Sequence, residues 1–409
     1  MGSPCLKILY LHNYYQQNGG EDFVLKNEMN IVQQKGHITD LFFMDNKKIN
    51  GLISEIDSAI HVVYSNNSKN DVKNHLNCLK PDIVHVHNFF PLLTPSVYDA
   101  CIEINIPVVQ TLHNFRTICP GALLSRNSIV CEKCITRSPY HSVFHKCYKN
   151  SFFGSFFVAK MVEYHRKNKT WQYKVNRFIA LTEFGKNKFI EAGFPTKKII
   201  VKPNFIEDPL KSKKNISNAR KIKALFIGRL SPEKGVDILI KAWENIHYPL
   251  EIAGTGPLFS KLKESVPDNI SFFGQLSKEE VIHKMLESSF LIMPSICYEG
   301  FPLVIVEAFA CSLPVVASRL GSMEEIIQDG VTGMHFKAGN ADDLAEKVNA
   351  MFASQERLKQ MGINARNEYE AKYTPEKNYE LLMGIYNKVI EEHKAGERAK
   401  KISIIKYAC

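Results

Sequence analysis

The sequence predicts an α/β protein made of two Rossmann-like, doubly wound parallel-sheet lobes with a cleft between them, and three observations carry that prediction. Short apolar runs bounded by turn residues alternate with helical stretches, the pattern of βαβ units whose strands are buried on both faces. A polar break, Glu207-Asp208-Pro209-Leu210-Lys211-Ser212-Lys213-Lys214-Asn215, interrupts the alternation, which then restarts. The polar motifs fall just beyond the C-terminal ends of the predicted strands, where open parallel sheets bind ligands. The expected organisation is an N-terminal lobe over 1–206, a C-terminal lobe over 207–375, and a final segment, 376–409. That segment holds a helix packing back on the first lobe and a basic, poorly ordered tail from Glu397.

In the first lobe, Lys7–Leu11 reads as a strand, followed by a polar loop from His12 to Asn18 and a helix from Glu21. Asp82–His87 and Pro107–His113 are further strands, and Arg177–Leu181 leads into a helix near Glu183, with Lys198–Val201 after it. The second lobe repeats the scheme with strands at Ile222–Gly228, Leu250–Gly254, Ile270–Gly274, Phe290–Pro294 and Pro314–Ala317.

A chain of 409 residues with 45% hydrophobic and 23% charged residues has a soluble, two-domain composition. No apolar run approaches the roughly 18 residues of a membrane span. The segment Met1–Leu11 has no secretory pattern, so a cytoplasmic location is expected. A net charge of +10 favours anionic partners. Nucleic acid is not expected among them, because no zinc-finger, RNP-like or recognition-helix pattern is present.

Glu299 and Glu307 flank a Gly300-Phe301-Pro302-Leu303 turn and an apolar run. Pro302 suits the first position of a helix, and a helix start is a ready anion site. At 1.5 Å per residue, Glu307 lies roughly 7–8 Å along the axis from Pro302. That offset lets one carboxylate hold a ribose diol and the other a sugar ring, with a diphosphate between. A buried carboxylate needs a partner, and an internal salt bridge for Glu307 is the alternative.

Gly228-Arg229-Leu230-Ser231-Pro232-Glu233-Lys234-Gly235 follows the first strand of the second lobe. A lysine in the opening turn of a helix opposes the dipole unless an anion compensates it. Lys234 and Arg229 are therefore candidates for gripping a diphosphate, against the plainer reading of two solvated bases. His113 ends a strand and can bond a substrate hydroxyl or a developing charge. His85 and His87 alternate on one strand and are assigned no special role. Gly19 and Gly20 let backbone approach a ligand at a helix start, as do Gly254 and Gly274 near strand ends. None completes the fingerprint of a dinucleotide cofactor.

Cys119, Cys131, Cys134 and Cys147 place a CxxC between two outer cysteines. Structural zinc, plain thiols and a redox pair are all open. The other six cysteines read as ordinary thiols. From Phe152 to Arg177, aromatics mix with Lys160, Arg166, Lys167, Lys169, Lys174 and Arg177 against one acid, Glu163. Such a stretch suits either a solvated helix face or an anionic membrane surface.

Taken together, these motifs resemble the retaining glycosyltransferases of family 4, which have the two-lobed GT-B fold. The likeness spans residues 7 to 390. It is strongest in Gly228-Arg229-Leu230, Glu233-Lys234-Gly235, Gly254-Thr255-Gly256-Pro257, the Glu299/Glu307 segment and Asp329-Gly330-Val331-Thr332-Gly333. The resemblance implies a UDP- or GDP-sugar donor, no cofactor for catalysis, and a glycan or polyprenyl-linked acceptor in cell-surface polysaccharide synthesis. It implies that Arg229 and Lys234 neutralise the diphosphate, Glu307 holds the ribose and Glu299 contacts the sugar. It places His113 against the transferred sugar and the backbone of Gly274 and Leu276 beside the base. The work would be done on the inner face of the cell membrane. Ser312, Ser322 and Pro302 stand where glycines are common, and the cysteine-bearing insert at 114–150 is a subgroup feature. A non-catalytic nucleotide-sugar binder and a sugar-nucleotide epimerase are the competing readings.

Overall fold

The computed structural model describes residues 4–408 apart from 17, 18, 50, 128, 212–219 and 265. The later part of the polar break and Cys409 therefore lie outside the described residues. The strands in chain order are β1 (Lys7–Tyr14), β2 (Ile38–Asp45), β3 (Ile83–Val86), β4 (Val108–Leu112), β5 (Ser125–Arg126), β6 (Ile129–Val130) and β7 (Arg177–Ala180). They continue with β8 (Ile199–Val201), β9 (Ala224–Ile227), β10 (Leu250–Ala253), β11 (Ile270–Gly274), β12 (Phe290–Met293), β13 (Val315–Ser318) and β14 (Gly333–Phe336).

Two compact units emerge. The first takes the residues up to Ala122, Glu132–Lys202, and the chain from Asn378 onward; the second takes Leu123–Cys131 and Pro203–Lys377. In the first unit a six-stranded sheet runs β2-β1-β3-β4-β7-β8, every neighbour parallel. Its central strands are apolar and β-branched on both faces: Ile83, Val84, Val86, Val108 and Val109 are fully covered. β1 extends to Tyr14, so His12 is a strand residue and not the start of a loop. Ladder pairing sustains it, because all eight of its residues face β2.

The helix Pro375–Ala408 closes the chain. From Asn378 it belongs to the first unit, where the Tyr379 hydroxyl meets His37 Nε2 at 2.8 Å and the Tyr386 hydroxyl meets His85 Nδ1 at 2.6 Å. The tail expected to be poorly ordered is helical through Ala408. Glu392 adds an ion pair to Arg177 at 2.6 Å.

The second unit repeats the architecture with the order β11-β10-β9-β12-β13-β14, again all parallel. Its core gathers Phe226, Leu239, Trp243, Ile252, Phe290, Ile292 and Val316 from strands and covering helices. Local chemistry sets the helix starts: Ser277 accepts from the Glu280 amide while Glu280 accepts from the Ser277 amide, a capping box.

Candidate functional site

In the second unit, β9, β10, β11 and β12 all release the chain at the same edge of the sheet, and the predicted motifs lie there. After β9 the chain makes a 3₁₀ turn, Pro232–Lys234, before the helix Val236–Trp243 begins beyond Gly235. Lys234 therefore sits in that turn and not in the first turn of an α-helix, and Gly235 breaks the two apart. Gly235 has φ +66°, and a Cβ there would lie 2.0 Å from the Pro294 carbonyl oxygen. This close packing carries Lys234 toward the end of β12.

There Lys234 Nζ donates to Glu299 Oε1 at 2.7 Å, and Ser295 Oγ donates to the same oxygen at 2.7 Å. Both side chains are largely covered, at 25% and 15% exposure. Burial alone would lower the Lys234 pKa, but the adjacent carboxylate outweighs it and holds the ammonium above its ordinary range. The Glu299 carbonyl in turn accepts from Ser322 Oγ at 2.7 Å, fixing the turn. Ser322, standing where glycine is common, thus has a structural task.

The helix after this turn is Leu303–Ala310, with Pro302 as its N-cap residue and not its first helical position. Phe301 packs edge-on against Tyr373, ring centroids 6.0 Å apart. Pro302 is buried, while Gly300, Leu303 and Glu307 are half-buried. Glu307 has no hydrogen bond or ion pair from its carboxylate among the described residues, so the alternative of an internal salt bridge is not formed there. Burial pushes its pKa up, against a smaller opposing effect of Lys278. Arg229 is exposed, and its guanidinium has no partner among the described residues. The structure thus joins Lys234 to Glu299 and leaves Arg229 and Glu307 open.

The glycines divide by surroundings. Gly254 has φ +140°, and a Cβ there would lie 1.9 Å from the Gly228 carbonyl oxygen, so it serves the approach of two strand ends. Gly274 has φ +68° with nothing within 4 Å of its would-be Cβ, which leaves its backbone open to a ligand. Leu276, two residues on, is half-buried.

In the first unit the parallel register sets Leu11 of β1 beside Val86 of β3, and Val86 beside Gln110 of β4. Side chains alternate faces along a strand, so Tyr10 and His12, His85 and His87, and Thr111 and His113 share one face. The helix Gly20–Gln34 covers that face with Glu28. The result is a buried polar cluster which the sequence reading missed. Glu28 Oε1 lies 3.1 Å from His85 Nδ1 and 3.2 Å from His87 Nε2, and Lys202 Nζ reaches Oε2 at 2.9 Å. His87 Nδ1 meets His113 Nε2 at 2.9 Å.

Hydrogen-bond polarity follows from charge. Burial opposes ionisation of Glu28, yet Lys202 and the histidines hold its pKa well below the carboxylate range. An ionised carboxylate only accepts, so His87 donates from Nε2. Burial, with His85 adding to it, pushes the His87 pKa down to about 3, so the ring is neutral and its Nδ1 accepts. His113 must then donate from Nε2. Burial, and next the neighbouring His87, keep His113 neutral as well. Its Nδ1, which has no partner among the described residues, is left as a bare acceptor.

Beside His113, Asn114 Nδ2 donates to Glu21 Oε2 at 3.3 Å and Asn88 Nδ2 to Glu21 Oε1 at 3.0 Å. Burial pushes the Glu21 carboxyl up to about 8. Gly19 caps the helix, its amide donating to Asp22 Oδ2 at 2.8 Å, and a Cβ at Gly19 would meet nothing within 4 Å. Gly20 is the first helical residue.

Zinc at the cysteines requires sulfurs about 3.8 Å apart around the ion, given Zn–S distances near 2.3 Å. Cys119 and Cys147 come close together at Gly121, whose would-be Cβ lies 3.8 Å from Cys119 Sγ and 3.6 Å from Cys147 Cβ. Among the described residues, the group of three or more His, Cys, Asp or Glu ligand atoms lying within 4.8 Å of one another is Glu28, His85 and His87. That group is a hydrogen-bonded cluster already neutralised by Lys202. Among the described residues no helix is long and apolar enough to cross a membrane.

Two parallel α/β units with acidic and basic side chains at the strand ends are the architecture of nucleotide-sugar-dependent transferases of the GT-B type. Two family profiles match adjoining stretches: Glycosyltransferase Family 4 over residues 63–208, and Glycosyl transferases group 1 over residues 207–368. The chain belongs to the family 4 glycosyltransferases. An uncharacterised glycosyltransferase of Methanocaldococcus jannaschii is 40% identical over 172 residues, 41% of this chain and 47% of the relative. N-acetyl-α-D-glucosaminyl L-malate synthase of Bacillus anthracis is 27% identical over 221 residues, 50% of this chain and 57% of that protein. The chain thus spans about half the length of the curated relatives it matches. Among solved structures, Anabaena HepE in complex with UDP and glucose aligns over 93% of this chain and 99% of its own, at TM-score 0.64 and 18% identity. Sucrose-phosphate synthase of Thermosynechococcus elongatus aligns over 94% and 100%, at TM-score 0.70 and 14% identity. At those identities the likeness speaks for the fold.

Proposed function

We propose that this protein is a retaining glycosyltransferase that moves one sugar from a nucleotide diphosphate-sugar to a glycan or lipid-linked acceptor. Cell-surface polysaccharide synthesis on the cytoplasmic side of the membrane is the setting it suits. The observation that carries the reading is Glu307: a half-buried carboxylate with no protein partner among the described residues, eight residues after a carboxylate already clasped by Lys234. A buried acid left open is costly, and a ribose diol supplies the two donors it lacks. The UDP and glucose bound by HepE are ligands of that neighbour; they support a uridine nucleotide as the first donor to try.

In this reading Arg229 and Lys234 carry the charge that builds on the leaving diphosphate, the largest electrostatic demand of the step. The bond from the anomeric carbon to the diphosphate breaks, and the acceptor oxygen bonds to that carbon on the same face. The acceptor's proton passes to a leaving phosphate oxygen, so no protein base is required. Glu299 orients Lys234 and reaches the sugar. His113, as a neutral ring with a bare Nδ1, accepts a hydrogen bond from a sugar hydroxyl and cannot serve as an acid.

The test is release of nucleoside diphosphate from a panel of UDP- and GDP-sugars, with and without acceptor glycans. One donor is expected to be consumed by the wild type, and Lys234→Ala and Glu299→Gln to lose about a hundredfold or more in rate. Full activity in both variants overturns the proposal. Conversion of the donor to an isomer without acceptor reassigns the site to an epimerase. Donor binding with no sugar released under any condition reassigns it to a binder.

A further inference from the structure

We propose that the first unit docks on an anionic lipid bilayer through the outward face of the helix Phe152–Lys167 and the segment leading into it. The Ser151 hydroxyl caps this helix by accepting from the Gly154 amide at 3.1 Å. Its inner side is well made: Ser155, Val158, Ala159, Met161, Val162 and His165 are buried. Its outer side has a different composition from an ordinary solvated face. Phe152, Phe156, Lys160 and Tyr164, spaced four apart and so aligned along one stripe, are all exposed. Phe153 next to the stripe is 75% exposed, and Phe144 in the approaching segment is 79% exposed. Phenylalanines left this open in sequence-adjacent positions are an unpaid apolar surface, which on a soluble chain marks an interaction site.

Charge selects the partner. Lys146, Lys149, Lys160 and Lys169 are exposed and make no ion pair among the described residues. The one acid between residues 133 and 182 is Glu163, which is tied to Lys167 at 3.1 Å. Uncompensated lysines around open aromatic rings match a surface whose outer layer is anionic and whose layer beneath is apolar. The rings sit at the headgroup boundary while lysine stems reach to the phosphates. A second copy of this chain is a poor occupant, because it would bring two sets of unpaired lysines together. The sequence reading left the whole stretch Phe152 to Arg177 open between a solvated helix face and an anionic membrane surface. The proposed contact centres on Phe144, Phe152, Phe153, Phe156, Lys149 and Lys160, since Lys167 is already paired.

This docking requires no transfer chemistry, so its failure would leave the transferase reading standing, and the reverse also holds. The test is flotation of the full chain with vesicles of phosphatidylcholine alone or with about a third phosphatidylglycerol, at low and high salt. Wild type is expected to float with the anionic vesicles only, and less at high salt. Phe152→Ser with Phe153→Ser should lower the partition coefficient about tenfold or more. Lys149→Glu with Lys160→Glu should lower it on the order of thirtyfold. All four positions are exposed, and an unchanged thermal midpoint confirms that folding is intact. Equal binding to neutral and anionic vesicles, no binding to either, or unchanged binding by both variant pairs overturns the proposal. So does a lipid-free oligomer that the two serine substitutions dissolve, which would assign the face to a second copy.

Discussion

Replacing Gly254 with alanine should cost the second unit far more than the same change at Gly274, although both are strand-end glycines with positive φ. At Gly254 the new Cβ would stand 1.9 Å from the Gly228 carbonyl oxygen. Restoring an ordinary contact requires moving the two strand ends apart by more than about 1 Å. That movement strains two hydrogen bonds: Gly228 N–H to the Ala253 carbonyl at 3.0 Å, and Gly254 N–H to the Gly274 carbonyl at 2.6 Å. With about 1 kcal/mol for each bond, plus overpacking and the left-handed backbone, the loss comes to about 4 kcal/mol or more. At Gly274 only the backbone conformation is penalised, about 1–2 kcal/mol. The chain has two tryptophans, and Trp243 lies in the core of the second unit while Trp171 lies in the first. In a Trp171→Phe background, urea unfolding followed by fluorescence therefore reports the second unit alone. With a slope of about 3 kcal/mol per molar, the two variants should differ in midpoint by roughly 1 M. Equal midpoints would refute the assignment of Gly254 to backbone packing.

The proton arrangement around His113 is open to nitrogen-15 NMR, which should find His113 protonated on Nε2 and bare on Nδ1 at pH 7; the opposite tautomer would break the chain of donors derived from Glu28. His165 is pushed down to about 4, chiefly by burial. The unfolded chain, with an ordinary value near 6.5, takes the proton first, so stability falls as pH drops below that value. Relative to His165→Gln, wild type should lose about 2 kcal/mol between pH 7 and pH 5, and parallel pH profiles would contradict this. Metal analysis of the purified protein tests structural zinc at Cys119, Cys131, Cys134 and Cys147: about one equivalent bears it out, and less than about a tenth of an equivalent dismisses it.

Much of the fold was legible because parallel strands buried on both faces are nearly continuous apolar runs. β3, β4, β7, β9, β10, β12 and β13 are of that kind. β2 and β14 were not read as strands: β2 is an edge strand with mixed polarity, Ile-Thr-Asp-Leu-Phe-Phe-Met-Asp, and its residues are mostly half-exposed. β14, Gly-Met-His-Phe, is too short to show a period. In the site, the residues of Lys234 and Glu299 were visible as motifs, but their contact depends on Gly235 packing against Pro294, a tertiary fact. The histidine cluster carried a usable signal that went unread. Each of three strands has polar side chains two apart at its C-terminal end, and aligning those ends in parallel register puts His12, His87 and His113 together. What no local pattern could supply was Glu28 on a helix and Lys202 far along the chain, which fix the charge of the cluster.

Calorimetric titration of UDP and GDP into wild type, Arg229→Ala and Glu307→Ala tests the central claim most directly. Arg229 is exposed and without a partner among the described residues, so its loss leaves the fold undisturbed and reads binding alone. One of the two diphosphates should bind the wild type, and each substitution should weaken it about tenfold or more. Failure of both to bind at millimolar concentration, or equal affinity in all three proteins, would contradict a nucleotide-sugar site built on these side chains.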